Sequence, residues 1–543
     1  MIRLTFASVF LLSTTCVAAD ELTAVVHRRV HPVLIGNDLN SLLEIEFIVP
    51  KGGDTQVTSL TFSLTGTDDL RDIDALTVYY SADRSPADLD SIRSGVRYSV
   101  DRHAVRADVA GRPFDSQADP AERFTVHGRQ SLSEGRNIFW LSCRLRSKAA
   151  LDHRIKATCV SVQTTSGEVI PRETSQVTGK RIGIALRQHY QDGVHTSRIP
   201  ALTVTPRGTL LCVYDMRRRK RRDLQEDIDI GLNRSTDGGQ SWQPVRVIMD
   251  MGKFGGLDQN QNGCSDPGIV VDWKTGEIFC AAVWMNGKPG HHQWRDEGSE
   301  AGYEIGKSAQ ILMVRSVDDG ITWSEPENLT RQLKRKDWIL LAPSPQGGIT
   351  LRDGTVVLPA EGRDERDRRF STLIISRDHG KTWTTAPGKA VGNTECQVVE
   401  IGDGSLMLNA RSPKHRSVWI TRDLGTTWEA HSTHRSALID PHCNGSLVRM
   451  DYQRSGRLEH LLCFCNPLSQ KHRDHHTLQL SFDEGLTWPK QYRMLLDEGR
   501  GNGYPSMVQV DSSHLGIVYE GSQAHVVFER ISVDELLSPL PSR

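Results

Sequence analysis

The sequence predicts an all-β protein, a six-bladed β-propeller preceded by an N-terminal β-sandwich domain, and three observations carry that prediction. First, the turn pattern Ser/Thr-x-Asp-x-Gly-x-Ser/Thr-Trp occurs five times: STDGGQSW at Ser235–Trp242, SVDDGITW at Ser316–Trp323, SRDHGKTW at Ser376–Trp383, TRDLGTTW at Thr421–Trp428 and SFDEGLTW at Ser481–Trp488. An Asp that bonds nearby backbone, a Gly that accepts positive φ and a Trp that anchors the hairpin make each copy a strand-to-strand turn. Second, each copy follows an apolar strand-like run, and the copies begin 81, 60, 45 and 60 residues apart, the length of four-stranded blades with unequal loops. Third, six turn-then-strand segments (from Gly208, Gly276, Gly354, Gly404, Gly456 and His514) each follow another short apolar strand. Six inner hairpins with five boxes imply six blades, one without a box. The last blade shows only AHVVFERI beyond its hairpin, so RIGIAL at Arg181–Leu186 is expected to supply its fourth strand and close the ring without an open edge.

In chain order, residues 1–19 carry one early Arg3, an apolar run broken by Ser and Thr, and a small-residue ending, Val17-Ala18-Ala19. They read as a signal peptide cleaved before Asp20, which makes the mature chain secreted or periplasmic. No later stretch is long and apolar enough to span a bilayer. Residues 20–179 contain no box but alternate in strand fashion (LLEIEFIV, TSLTFSL, ALTVYYS, RFTVHG, NIFWLSCRL, HRIKATCVSVQTT), which predicts the sandwich. Its role is open between glycan binding and packing. Ser81 to about Arg123 is polar and charged and reads as a long loop. Residues 180–543 form the propeller.

Lysine plus arginine number 66 against 67 acids, so no global field points to nucleic acid, and the partner is expected elsewhere. The nine cysteines after Cys16 sit mostly within apolar strands and read as small buried hydrophobes; Cys463-x-Cys465 lacks a second ligand pair, so neither a metal nor another cofactor is expected. Three Asn-x-Ser/Thr sequons occur, at Asn233, Asn328 and Asn444. The chain reads as a monomer.

Strand parity gives the site. If the boxes join strands three and four, the opposite rim holds the starts of strand one (Arg198, Asp266, Gln346, Glu395, Asn444 and Tyr504). The ends of strand two and their loops add Arg217, Asp223, Glu361, Arg411, Arg473 and Glu520. Planar arginines from different blades suit a carboxylate. Separated acids suit glycosidic cleavage, and a Tyr beside a Glu supplies a nucleophile with its base. One tension stands out: MRRRKRRD sets cations from Arg217 to Arg222 directly before Asp223, and nearby cations hold a carboxyl in its charged form.

In SRIPALTVTPRG, YDMR followed by DLQED, the five boxes, TECQVVEI, LMLNARS, and GYPSM followed by GIVYEGS, the chain resembles the bacterial-type exo-α-sialidases (neuraminidases) from about Gly179 onward. The N-terminal region is similar to the β-sandwich that precedes the propeller in some of them. The resemblance implies a carboxylate-binding triad of Arg198, Arg411 and Arg473, with Lys471 the neighbouring cation to the third. It implies Asp223 as general acid/base, Tyr504 as nucleophile, Glu395 as its partner base and Glu520 as the carboxylate orienting Arg198. Arg217 would be an accessory arginine, and Asp266 would lie near the glycerol or N-acyl side of the sugar. The implied activity is retaining hydrolysis of terminal sialic acids from glycoproteins, glycolipids or oligosaccharides through a tyrosyl-enzyme intermediate. A non-catalytic sialoglycan-binding lectin and a trans-sialidase are the alternatives on the same scaffold. The family usually carries Phe or Tyr before Arg-Ile-Pro, whereas Ser197 stands here, and the resemblance leaves Glu361 without a role, an exposed loop residue by default.

Overall fold

The computed structural model describes residues 22–82, 111–117, 119–286, 294 and 298–539. The signal-peptide segment falls outside them. The N-terminal unit is a two-sheet sandwich. Among the described residues, one sheet has six strands, in the order Arg172–Glu173, Thr23–His27, Asn40–Val49, Gly135–Leu145, Ile73–Ser81 and Arg112–Gln117; the other has four, Gly167–Val169, Thr158–Thr164, Gln56–Ser63 and Arg123–Ser131. Alternating residues of both sheets meet in one core, where Phe47 packs edge-on to Phe139 and Phe62 stacks on Phe124. Arg112–Gln117 corrects part of the long-loop expectation, because it pairs with Ile73–Ser81 as an edge strand. Its polar, half-exposed side chains explain the miss: an edge strand lacks a buried face on which alternation would show.

Six blades follow. Blades one to five place their strands in sequence order: Thr196–Val204 to Arg246–Met249, Cys264–Val271 to Glu327–Asn328, Leu340–Pro343 to Thr384–Thr385, Cys396–Glu400 to Glu429–Ala430, and Ser446–Arg454 to Met494–Asp497. In blade three the inner strand is broken, and Leu340–Pro343 and Ile349–Thr350 both pair with Val356–Arg363. Blade six takes Pro505–Asp511, His514–Tyr519 and Val526–Ser532 from the C-terminal end and Lys180–Arg187 from ahead of blade one, with Ile184 opposite Phe528. The ring closes as the repeat arithmetic expects. It also explains why only five boxes exist: blade six has no turn from strand three to strand four. Val33–Ile35 then adds a further, parallel strand to Lys180–Arg187 and ties the sandwich to the propeller. Among the described residues, no helix is long and apolar enough to cross a membrane.

The five boxes share one geometry. In the second, Asp318 accepts from the Thr322 amide (2.8 Å) and Ser316 hydroxyl (2.9 Å), while the Gly320 amide donates to Ser316 Oγ (3.0 Å). The box glycine has φ between 78° and 87° in every copy, and a Cβ on Gly239 would meet the Phe528 ring at 2.2 Å, so only glycine fits. The residue before it is also left-handed and reaches the preceding blade. Asp319 accepts from Thr205 and Thr209 (2.6 Å each), and His379 Nδ1 meets Asp272 at 2.7 Å. Boxes therefore stitch blades together on the rim away from the site. All nine described cysteines are buried free thiols, as apolar strand residues should be. Asn233 and Asn444 are buried structural asparagines rather than accessible sequons.

Candidate active site

The strand-one starts and strand-two ends converge at one mouth. Tyr504 stands at its centre, 5 % exposed. Its hydroxyl donates to Glu395 Oε1, Arg411 Nη1 donates to that hydroxyl (2.9 Å) and to Glu395 Oε2 (2.7 Å), and the guanidinium carbons of Arg198 and Arg473 lie 5.3 and 5.5 Å from its ring centre. Three arginines from blades one, four and five thus surround one phenol. Arg473, not the exposed Lys471, is the third; it is held by the Asn502 carbonyl at 2.8 Å. Burial first, and then the Glu395 charge, hold the Tyr504 phenol well above its usual range, against the opposing pull of Arg411 and Arg473.

Local backbone aims these groups. Gly503, just before the phenol, has φ 97°, and a Cβ there would press on Cys443 and Arg473 at 3.0 and 3.1 Å. After Arg198, Ile199 is left-handed (φ 58°) at a bulge between Arg198 and Ala201; Asp266 is left-handed (φ 57°) at the equivalent bulge of blade two, and a proline follows each. A branched residue in that region is strained, and such bulges re-aim side chains. Here Glu520 holds the strained turn. It accepts from Arg198 Nε and Nη2 (2.9 and 3.0 Å) and from the Ile199 and Tyr504 amides (2.8 and 3.1 Å). Burial raises its carboxyl, but Arg198 and the two amides outweigh that, and the net shift is downward.

Behind Arg198, where the family carries an aromatic ring, Ser197 is buried in polar packing. Its amide donates to His525 Nδ1 (3.3 Å) and its hydroxyl accepts from Arg187 (3.4 Å). The serine is therefore compensated rather than a void.

Asp223 sits at the mouth with its side chain 31 % exposed, bound by Arg217 Nη2 at 2.8 Å. Arg217 is fully buried and also gripped by Asp215 (2.9 Å), a residue absent from the expected set although Asp215 and Arg217 share one face of their strand. Asp215 further accepts from the Ser265 hydroxyl (2.6 Å) and Asp266 amide (3.0 Å), linking blades one and two. The basic run is not a free cationic patch: Arg218 bonds Asp229 (2.8 Å) and Lys220 bonds Glu226 (2.9 Å).

Glu361 corrects the expectation of an exposed loop residue. It is 8 % exposed, and burial followed by repulsion from Glu395 pushes it up to about 8. Of the other mouth residues, Gln346 and Asn444 are buried struts, donating to the carbonyls of Pro505 (2.7 Å) and Pro345 (3.0 Å). Carboxyl oxygens of Asp215, Asp223 and Asp266, and of Asp266, Glu361 and Glu395, lie within 4.8 Å of one another, the groups among the described residues whose spacing would suit a cation. Asp215, Asp223 and Glu395 already have guanidinium partners.

Residues 208–517 match the family of the BNR repeat-like domain, and residues 21–168 match the N-terminal domain of BNR-repeat neuraminidase. A Bacteroides fragilis sialidase is 33 % identical over 97 % of this chain and 98 % of its own length. A Micromonospora viridifaciens sialidase is 29 % identical over 61 % of this chain and 50 % of its own. Among solved structures, the Hadza microbial sialidase Hz136 superposes with a TM-score of 0.85 at 35 % identity, covering 94 % of this chain and 99 % of that one. A Trypanosoma rangeli sialidase, at 19 % identity and a TM-score of 0.53 over 65 % of this chain and 58 % of that one, shares the fold. The chain belongs to the BNR-repeat neuraminidases, glycoside hydrolases that act as exo-α-sialidases.

Proposed function

We propose that this sialidase releases terminal sialic acid from glycoproteins, glycolipids or oligosaccharides with retention, through a glycosyl–Tyr504 intermediate. The observation that carries the reading is the Tyr504–Glu395–Arg411 contact, with two further guanidiniums over the same ring. A sialic acid bears its carboxylate on the anomeric carbon, so a carboxylate nucleophile would meet like charge. A neutral phenol avoids this, and burial keeps Tyr504 neutral at rest. Glu395 accepts the phenolic proton as the oxygen attacks the anomeric carbon, and Arg411 stabilises the charge passing between them. Arg198, Arg411 and Arg473 hold the substrate carboxylate by charge-assisted hydrogen bonds.

Asp223 protonates the leaving oxygen, then takes a proton from the water that opens the glycosyl–tyrosine. Two displacements retain configuration, with a Tyr nucleophile the stated exception to the paired-carboxylate scheme. The crowding of Asp215, Asp223 and Asp266, the first two bound to Arg217, answers the tension over the acid. Burial and mutual repulsion raise the Asp215 and Asp266 carboxyls, so the cluster, within 4.8 Å, retains a proton that Asp223 can deliver.

The test is release of free sialic acid from a fluorogenic α-sialoside, with the first-formed anomer followed by NMR. An α product supports the two-step scheme, and a β product rejects it. Adding lactose separates transfer from hydrolysis. Export and monomeric state are read from the first residue of secreted material, expected to be Asp20, and from light scattering.

A further inference from the structure

Glu361 sits near the end of the strand Val356–Arg363 in blade three, and its carboxyl lies within 4.8 Å of those of Asp266 and Glu395. No hydrogen bond or ion pair reaches it among the described residues, although it is more than nine-tenths buried. Its neighbours are served: Arg411 and the Tyr504 hydroxyl hold Glu395, and the Ser265 hydroxyl meets Asp266 at 3.1 Å. The other groups facing Glu361 are the Cys396 thiol, Arg411 itself and Arg369, which lies at the exposed start of the next strand. A mostly buried carboxyl without a protein donor, within 4.8 Å of two others, is more stable neutral.

We infer that Glu361 is a positioning residue for an anionic sugar: as a neutral acid it leaves Glu395 the sole full charge of its carboxyl trio, so the arginines around Tyr504 retain the field that holds a substrate carboxylate. The inference rests on the sialoside reading of the site for its ligand. The titration behaviour agrees. Burial and then Glu395 push Glu361 up to about 8, while burial and then Asp223 push Asp266 well above the carboxylate range. Tyr504 remains a phenol throughout this range. Once Glu361 ionises, an added unit charge about a ring's width (~8 Å) from the ligand carboxylate weakens binding roughly ten- to thirty-fold at an effective dielectric near ~20.

The experiment is calorimetric binding of the 2,3-unsaturated sialic acid analogue at pH 6.5 and 9.0 (roughly 1.5 units below and 1 above that midpoint). The wild-type protein should bind about ten-fold more weakly at the higher pH. Glu361→Gln, permanently neutral and isosteric, should lose most of the alkaline weakening, its affinities at the two pH values differing by no more than about three-fold. Equal weakening in both proteins overturns the inference. So does a loss of more than about ten-fold at the lower pH in a variant with wild-type melting, because that would make the ionised carboxylate a direct ligand. If Glu361→Gln fails to fold, Glu361→Met supplies the same neutral comparison. Only binding is read, so failure of Tyr504 as nucleophile would leave this result standing, whereas no binding at either pH would reject both readings.

Discussion

Glu520→Gln tests how the site is assembled, because one buried carboxylate joins a triad arginine to the backbone of the nucleophile. Glu520 is 1 % exposed and accepts four hydrogen bonds, two from the Arg198 guanidinium and two from the Ile199 and Tyr504 amides. Every one of these partners is a donor. Glutamine keeps one acceptor oxygen but turns an NH2 group towards at least one of them, and Arg198 loses its counter-charge. Breaking a buried pair from one side costs about 3–5 kcal/mol. Part of that cost lowers stability, since Ile199 is held in a left-handed conformation that the Glu520 contact stabilises. If about half, ~2 kcal/mol, is expressed in a misaligned Arg198, substrate capture weakens roughly thirty-fold. The assay is kcat/KM on a fluorogenic sialoside beside a thermal melt. The expected result is a fall of at least about thirty-fold, mostly in KM, with a melting temperature several degrees lower. A variant within about three-fold of wild type, melting normally, would refute the assembly described here.

Other outcomes follow from the same contacts. Tyr504→Phe should fold normally and lose at least about a thousand-fold in kcat, measured with the same substrate, because no oxygen remains to form the intermediate. Asp319→Ala removes the acceptor shared by Thr205 and Thr209 and should lower stability by about 1–3 kcal/mol while leaving kcat unchanged, read from melts and steady-state rates. In the boxes, Asp318 and Asp378 are held at about 2, mainly by hydrogen bonds from the Thr322 and Thr382 hydroxyls and amides. Their folded values lie below an unfolded carboxyl near ~3.9, so the stability they contribute is complete above about pH 5 and is lost as pH falls towards 2. Melting temperature followed from pH 6 to pH 2.5 should fall in that window, and Asp378→Asn should flatten the fall.

Much of this architecture was legible because its determinants are local and repeated. Each box carries its own turn chemistry within eight residues, and box-to-blade arithmetic then demanded a strand from ahead of blade one, which Lys180–Arg187 supplies. Strand parity placed Arg198, Arg411, Arg473, Glu395 and Tyr504 in one mouth for the same reason. What escaped depends on long-range pairing. Val33–Ile35 is three residues long, too short for any periodicity, and becomes a strand only because Lys180–Arg187 presents an open edge. Arg112–Gln117 is polar because it is an edge. Asp215 was readable in principle from Asp-x-Arg on one strand face, but its partnership with Ser265 and Asp266 of the next blade was not. Glu361 looked like loop polarity because its carboxyl neighbours, Asp266 and Glu395, come from the blades on either side.

The claim on which the mechanism depends is that Tyr504 forms the covalent bond to the sugar. Incubation with a 2,3-difluorinated sialic acid slows turnover of the intermediate and allows it to be weighed and located. One added glycosyl unit is expected by intact mass, mapped by peptide sequencing to Tyr504 and absent from Tyr504→Phe. A label on Asp223 or Glu395, or full inhibition with no added mass, would contradict it.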